Sequence, residues 1–302
     1  MKPTTPPSAA TSPGQAALRP DCSQCFALCC TAFGFTRSAD FAIDKPPATP
    51  CPNLAADFSC TIHDRLRPRG FVGCTVFDCF GAGQAVSQRL FGGTSWREDP
   101  ALAPDMFAAF KVLRQLHEMR WLLGQAEAKA YGPDTAGDVR HLQAMVREVA
   151  EGPLDDVLAA DIGSLHVQVG DALRGVSEEV RAGYFDDGPC LGCLQPGADL
   201  AGADLRGVAL CGANLRGACL IAADFRGADL AATDLLGADL RDARFDDADL
   251  TDTLFLTQAQ ITAARGSAST RLPAGLERPG HWLGAGSASP PAPWKLLDSG
   301  DC

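Results

Sequence analysis

The sequence has few large polar aromatics and no long apolar run. It contains 2 tyrosines and 4 tryptophans among 302 residues. No stretch approaches the roughly 18 apolar residues that a membrane-spanning helix needs, so we expect no membrane partner. Residues 1–20, MKPTTPPSAATSPGQAALRP, lack the apolar core of a secretory signal. We therefore expect a cytoplasmic protein, whose thiols stay reduced.

Positive charge is also scarce. The 26 Lys and Arg residues are outnumbered by 37 Asp and Glu residues, which gives a net charge of −11. This balance disfavours direct nucleic-acid binding and disfavours an anionic membrane surface as a partner. It is compatible with an unidentified, basic protein partner, and a homodimer stays an open alternative.

Cysteine is abundant but unevenly placed. Of 13 cysteines, none lies between residues 80 and 189. A dense group lies before that gap: Cys22, Cys25, Cys29, Cys30, Cys51, Cys60, Cys74 and Cys79. The adjacent Cys29 and Cys30 cannot easily form a disulfide with each other, because the torsion and spacing of the bridge are poorly met within a dipeptide. Each thiol must therefore find a distant cysteine or a metal.

The spacing of these cysteines favours a metal. A C-x2-C pair, here Cys22 and Cys25, lets two thiolates face one ion across a tight turn. Thiolates select soft ions, so zinc or an iron–sulfur cluster is expected rather than Mg²⁺ or Ca²⁺. The eight cysteines could fill two four-coordinate sites, or one cluster and one zinc site. A secreted domain held by disulfides is the alternative.

The same cysteines carry a resemblance to a known family. CSQCFALCC, CPNL at Cys51, CTIHDRLRP at Cys60 and the pair Cys74 and Cys79 resemble the YkgJ-type cysteine-cluster family, described as zinc- or iron-chelating. The resemblance covers about residues 21–83 and implies that all eight cysteines are candidate metal ligands. His63 stands where that family commonly has tyrosine.

Other polar motifs give weaker signals. FGAGQ at 80–84 lacks the pattern of a phosphate-binding loop and is interpreted as a turn. His63 and Asp64 could be a ligand and a base, but local structure is the preferred interpretation. Cys190 and Cys193 could be a redox pair or further ligands, although no thioredoxin-like pattern surrounds them. No catalytic residue is predicted.

The region 98–187 has helical periodicity. Apolar residues recur on one face of PDMFAAFKVLRQLHEMRWLLGQAEAKA, and Tyr131-Gly132-Pro133 ends that helix. A second helix carries Val139, Leu142 and Val146, and a third is predicted from about Pro153 to about Ala182. We interpret His117, His141 and His166, which lie in this region, as surface or packing residues.

The last third is a five-residue repeat. Leu or Phe recurs at every fifth position from Leu200 to Phe255, and a small residue stands two positions before each. This pattern resembles the pentapeptide-repeat family. The resemblance implies a right-handed, four-sided β-helix with one large and one small side chain pointing inward per repeat. LTQAQITAARG then predicts a short capping helix with Thr257 as N-cap and Gly266 just past its end.

Together these patterns predict a multi-domain protein. Its expected parts are a disordered tail (1–20), a Cys-rich metal module (21–97), a helical connector (98–187), an all-β right-handed quadrilateral β-helix (188–255), a cap (256–282) and a second disordered tail (283–302). The combination looks like a bacterial group of metal- or iron–sulfur-binding proteins that act as interaction scaffolds or sensors without catalysis. A redox or metal-dependent enzyme is one alternative. An acidic DNA mimic that modulates a topoisomerase is the other, suggested by the aspartates around Asp242, Asp247 and Asp252.

Overall fold

The structure is a computed structural model that describes residues 17–184 and 194–283. Two compact units divide the chain, one over residues 17–176 and one from residue 177 onward. The predicted disordered tails lie for the most part outside the described residues, as do Cys190, Cys193 and Cys302.

Helices are the regular secondary structure of the first unit. Its first short helices are α1 (Leu28–Ala32), α2 (Val72–Thr75) and α3 (Ala82–Gln84), the last continuing into a π-helical turn, Ala85–Leu90. Three 3₁₀ turns cover Cys22–Gln24, His63–Arg65 and Pro100–Leu102. The later elements are α4 (Ala103–Lys129), α5 (Pro133–Glu151) and α6 (Leu154–Leu158). The next helix, α7 (Ile162–Arg181), begins in the first unit and ends in the second, where a 3₁₀ turn, Ala182–Tyr184, follows it.

The predicted apolar face of α4 is the centre of this unit. Phe110, Leu113 and Leu116 are fully buried. The helix ends at Lys129, and Pro133 begins α5 in the first turn, where its missing N–H costs nothing. The helix boundary predicted at Tyr131-Gly132-Pro133 is therefore confirmed.

The predicted third helix is in fact two helices. The chain leaves α6 after Leu158, and α7 begins at Ile162. The Asp161 carboxylate accepts a hydrogen bond from the Ser164 N–H at 3.0 Å, which satisfies a donor at the start of α7 and sets a new helix. Gly163, Gly170 and Gly175 lie within α7 without breaking it.

The repeat region is held together by contacts twenty residues apart. Parallel bridges join Asp204 to Asp224 and Asp224 to Arg244. The Leu205 N–H donates to the Asp224 carbonyl at 2.9 Å, and the Asp224 N–H donates to the Ala203 carbonyl at 2.9 Å. After four pentapeptides, the chain therefore runs beside the residues that lie twenty positions earlier.

The prediction of an all-β quadrilateral β-helix is wrong. Every bridge in the described residues is isolated, and none belongs to a strand. The physical reason is that each pentapeptide uses its other residues to turn, which leaves one residue per repeat to pair with its neighbour. The described part of the chain is mostly helical, and the repeat region is a succession of turns.

The inward side chains of the repeats are where the period of five places them. Phe225 and Phe245, twenty residues apart, are fully buried and stack at 4.8 Å with an 11° angle between rings. The large side chains in this core are Leu200, Leu205, Leu210, Leu215, Leu220, Phe225, Leu230, Leu235, Leu240, Phe245 and Leu250. Phe255 is buried too, but outside this cluster. The burial of this set confirms the predicted inward face.

Each repeat turns through one residue with left-handed backbone. Most of these positions are glycine, but Ala222 (φ 57°), Ala232 (φ 55°), Asp242 (φ 57°) and Asp247 (φ 61°) are not. A residue with a Cβ pays roughly 1–2 kcal/mol for this conformation. These four turns therefore carry local strain that the core packing offsets.

The C-terminal helix α8 (Gln258–Ala263) covers the end of the repeats. Thr257 is its N-cap, as predicted, and forms a capping box with Gln260. The Gln260 side chain also donates to the carbonyls of Leu235 and Ala238, at 2.9 and 3.0 Å. The Leu235 carbonyl already accepts from the Ala238 N–H, at 3.1 Å, so the bond to the Ala238 carbonyl is the one that supplies a missing partner at the end of the repeats.

The role predicted for Gly266 is wrong. The residue that follows α8 is Ala264, with extended backbone, and the φ of Gly266 is not in the left-handed region. Gly266 is instead a site of close packing, since a Cβ there would lie 2.6 Å from the Trp282 ring. Trp282, in the 3₁₀ turn Gly280–Trp282, is buried and donates its indole N–H to the Ala264 carbonyl at 3.0 Å.

We expect the substitution Ala222→Gly to stabilise the repeat region by about 1 kcal/mol, because glycine removes the Cβ penalty of a left-handed turn. The measurement is the midpoint of urea unfolding. The matched control is Ala223→Gly next to it, which removes a fully buried Cβ and should destabilise. Equal effects from the two variants would contradict the strain argument.

Candidate metal centre

The cysteine-rich loops are fixed to α3 and the turn after it. The Gln84 side chain accepts from the Asp21 N–H at 3.1 Å and donates to the Arg19 carbonyl at 2.7 Å. The Ser87 hydroxyl accepts from the Phe26 N–H at 3.1 Å. These bonds place the segment that begins with Cys22 against the segment that follows Cys79.

An aromatic row holds the same loops to α4. The Phe58 ring lies 5.3 Å from Phe26 and 5.7 Å from Trp96, and Trp96 lies 6.2 Å from Phe107 of α4. The Trp96 indole N–H donates to the Phe26 carbonyl at 2.8 Å. The loops are thus positioned by packing and side-chain hydrogen bonds, because they have little regular structure of their own.

One group of four cysteines surrounds a small cavity. The cavity has a volume of about 20 Å³. Its lining consists of Asp21, Cys22, Cys25, Cys29, Cys79, Gly83, Gln84 and Phe110. We call Cys22, Cys25, Cys29 and Cys79 the cavity thiols.

Backbone N–H groups are directed at two of the cavity thiols. The backbone N–H groups of Leu28 and Ala27 lie near the Cys25 sulfur and act to lower its pKa. Those of Gly83 and Gly81 do the same at the Cys79 sulfur. Donors placed in this way favour a thiolate over a thiol. Burial is the larger effect, however, and raises the pKa of Cys25 to about 11 and the pKa of Cys79 above its ordinary value.

Gly83 is required for the close approach of these segments. A Cβ at Gly83 would lie 2.6 Å from the Cys25 sulfur and 3.9 Å from the Cys79 sulfur. Gly81 has φ +75°, and Phe80 also has left-handed backbone, with φ 48°. The turn predicted for FGAGQ is confirmed at Phe80 and Gly81 only, because Ala82–Gln84 form α3. Sequence reasoning missed the proximity of Gly81 and Gly83 to a thiol, although two glycines within four residues of Cys79 were the available signal.

Backbone hydrogen bonds bring a second group of cysteines together. The Cys51 N–H donates to the Cys30 carbonyl at 3.0 Å, and the Leu54 N–H donates to the Cys51 carbonyl at 3.0 Å. An antiparallel bridge then joins Leu54 to Cys60. Burial raises the pKa of Cys74 to about 12, and Cys30, Cys51 and Cys60 lie near enough to raise it further. We call Cys30, Cys51, Cys60 and Cys74 the Lys45-side thiols.

The adjacent cysteines of α1 lie where the two groups meet. The Sγ atoms of Cys29 and Cys30 are 3.8 Å apart. The hydrogen bond between them raises the pKa of Cys29 well above its ordinary value and lowers the pKa of Cys30. All eight cysteines of the module are free thiols.

Lys45 is a buried cation beside the second group, and it had no signal in the sequence. Its side chain is 4% exposed. The ammonium donates to the carbonyls of Thr31 (3.3 Å), Phe33, Pro46 (3.3 Å) and Thr49 (2.8 Å). Burial lowers its pKa, and the charges of the nearby Cys51, Cys30, Cys29 and Cys74 oppose that effect.

The donor chemistry fits a soft metal, but the sulfurs do not yet converge. Over residues 17–184 and 194–283, no group of three His, Cys, Asp or Glu side chains is close enough to hold an ion. An ion would therefore have to draw the loops inward. The thiols around the cavity, the N–H groups directed at sulfur and the fit of Gly83 against Cys25 are what such a site requires.

The histidines do not add to this site. His63 is exposed, and the neighbouring Asp64 pairs with Arg65 at 3.4 Å. His117 is buried in α4 with its Nδ1 2.7 Å from the Phe80 carbonyl, and burial lowers its pKa to about 4. His141 and His166 are exposed. Packing and surface roles are confirmed for the three histidines of the helical region.

Comparison with known proteins supports the repeat assignment. The family of pentapeptide repeats (8 copies) matches residues 197–230 and 218–255. The curated "Uncharacterized protein YybG" of Bacillus subtilis (strain 168) is 48% identical over 266 residues, which cover 88% of this chain and 95% of that protein. The chain is a pentapeptide-repeat protein and belongs to one family with YybG. The YkgJ-type resemblance of residues 21–83 stays a prediction. No helix in the described ranges combines the length and apolarity needed to cross a membrane.

We expect Gly83→Ala to weaken metal binding strongly while the chain stays folded, because the added Cβ pushes the Cys25 sulfur away from Cys79. Zinc affinity measured against a competing chelator tests this. The control is Gly137→Ala in α5, where a Cβ would meet nothing within 4 Å. An unchanged affinity in the Gly83 variant would count against a site at the cavity.

We expect Lys45→Met to lower the free energy of unfolding of the first unit by about 2 kcal/mol, since several buried carbonyls lose their donor. Chemical denaturation monitored by tryptophan fluorescence measures the change. Lys111→Met on the exposed surface of α4 is the matched control and should change stability little. A loss no larger than the control's would show that other groups satisfy those carbonyls.

Proposed function

We propose that the protein is a repeat scaffold whose N-terminal cysteine module binds zinc or an iron–sulfur cluster, and that it acts by interaction rather than by catalysis. Four sulfurs around one cavity, with backbone N–H groups directed at Cys25 and Cys79, are the observation that carries the metal part. The pentapeptide repeats support the scaffold part.

Cys25 and Cys74 have the properties of ligands rather than of nucleophiles. A catalytic cysteine is activated by a lowered pKa. Burial instead raises the pKa of Cys25 to about 11 and that of Cys74 to about 12. A metal ion overcomes such values because it replaces the proton on sulfur, whereas a nucleophile would need a base that no described histidine offers here.

The repeat surface disfavours the DNA-mimic alternative. A mimic needs unpaired negative charge, but Arg241 pairs with Asp239 at 2.7 Å and Arg265 pairs with Asp242 at 2.9 Å. Further pairs join Arg244 to Asp246 and Arg271 to Asp249. The Asp247 carboxylate accepts from the hydroxyls of Ser267 and Ser269. Four aspartates of this part of the repeats are therefore paired with arginines, which reduces the negative charge it presents.

Elemental analysis and a visible spectrum of anaerobically purified protein test the proposal. We expect bound zinc, or iron with sulfide, and a loss of that metal in Cys25→Ser and Cys79→Ser, because each removes a thiolate at the cavity. Cys211→Ser and Cys219→Ser are matched controls, since these half-buried thiols lie in the repeats. Metal-free wild-type protein, or equal loss in the control variants, would overturn the proposal.

A further inference from the structure

We propose that the eight cysteines form two separate four-thiolate sites, each for one soft metal ion, that meet at the Cys29–Cys30 pair; this division rests on the proposed function. The first site consists of the cavity thiols. The second consists of the Lys45-side thiols. Neither the family resemblance nor the cysteine spacing divides the ligands in this way.

The first site is defined by the cavity. Cys22 and Cys25 lie at the two ends of one 3₁₀ turn, and the Cys25 N–H donates to the Cys22 carbonyl at 3.3 Å. Cys79 reaches them from the far end of the module through the close contact of Gly83 with Cys25. Cys29, from α1, completes the lining. Four sulfurs from three segments thus face one space.

The second site is defined by a different set of contacts. Cys30, Cys51 and Cys60 are joined in sequence by the two backbone bonds and the bridge through Leu54. Cys60 packs against the small core of Ile62, Leu66 and Phe71. The Cys74 N–H donates to the carbonyl of Phe71 at 3.1 Å, which brings the fourth thiol to the same core. None of these residues lines the cavity.

The helix explains why two adjacent cysteines are needed. Successive residues of an α-helix point about 100° apart around its axis. Cys29 and Cys30 of α1 can therefore serve different sites while their sulfurs stay 3.8 Å apart. This answers the question raised by the CC dipeptide, which cannot easily bridge to itself.

The two sites differ in how their negative charge is compensated. A divalent ion with four thiolates carries about −2, which a buried site must balance. At the first site, backbone N–H groups of Ala27, Leu28, Gly81 and Gly83 are available. The Lys45 ammonium lies near three thiols of the second site, Cys51, Cys30 and Cys74, and near Cys29 alone of the first. Lys45 should therefore affect the second ion more than the first.

Native mass spectrometry of the full chain with Zn²⁺, under reducing conditions, tests the division. We expect two ions in the wild type and one ion in each of two double variants, Cys25→Ser/Cys79→Ser and Cys51→Ser/Cys74→Ser. Combining all four substitutions should leave none. Lys45→Met should lower the affinity for the second ion more than the affinity for the first, and the larger effect should disappear in the Cys51/Cys74 variant. Cys211→Ser/Cys219→Ser should keep both ions.

The outcomes separate this inference from the proposed function. Wild-type protein without zinc would overturn the division, and it would overturn the proposed function as well only if elemental analysis also finds no iron with sulfide. Wild-type protein with one ion, or loss of every ion in either double variant, would overturn the division while leaving metal binding intact. If circular dichroism shows that a double variant is unfolded, the single variants Cys22→Ser and Cys60→Ser are used in its place. Each should then weaken one of two resolved binding steps by tenfold or more, and a weakening of both steps by either variant would again overturn the division.

Discussion

The cysteine module depends on the hydrogen bonds that the Lys45 ammonium donates to backbone carbonyls. Residues 28–60 form one short helix and a few bridges, so their backbone groups cannot satisfy each other as they would in a sheet. A single buried cation instead binds carbonyls of Thr31 and Phe33, just after the two adjacent cysteines, and of Pro46 and Thr49, just before Cys51. The charge that fixes the loops therefore also lies beside the thiols. One residue, Lys45, thus determines both the loop structure and the electrostatics around the second group of cysteines.

The repeat region solves the corresponding backbone problem in the opposite way. Each of its turns pairs one residue with the residue twenty positions away, and a continuous column of Leu, Phe and Ala side chains fills the interior. Because every turn repeats the same bonds, no single cation or ligand is needed. Strain at Ala222 and Ala232 is tolerated since each such turn is anchored on both sides by a buried Leu or Phe.

The sequence could predict the features that depend on residues close together along the chain. Period-five burial, the end of α4 and the Thr257 cap depend on neighbours within a few positions, so Leu205, Pro133 and Thr257 could be interpreted directly. The sequence did not predict that strands are absent from the described repeats. How many residues of each repeat pair with a neighbouring turn depends on the shape of the turns, which the five-residue period does not specify. Lys45 and Gly83 were missed because their partners lie far along the chain or on the backbone, where spacing carries no signal.

The high thiol pKa values connect the module to a scaffold role. Thiols such as Cys25 and Cys74, with pKa values of about 11 and 12, are protonated near neutral pH, so an ion can bind only by displacing their protons. The sulfurs around the cavity also do not converge in the described structure, so binding must move the loops that carry them. Loading would then change both the charge and the shape of the module. If the proposed metal binding holds, the interactions of a repeat scaffold joined to such a module would depend on metal supply, which is a physical basis for the sensor role expected from the sequence and requires no catalytic step.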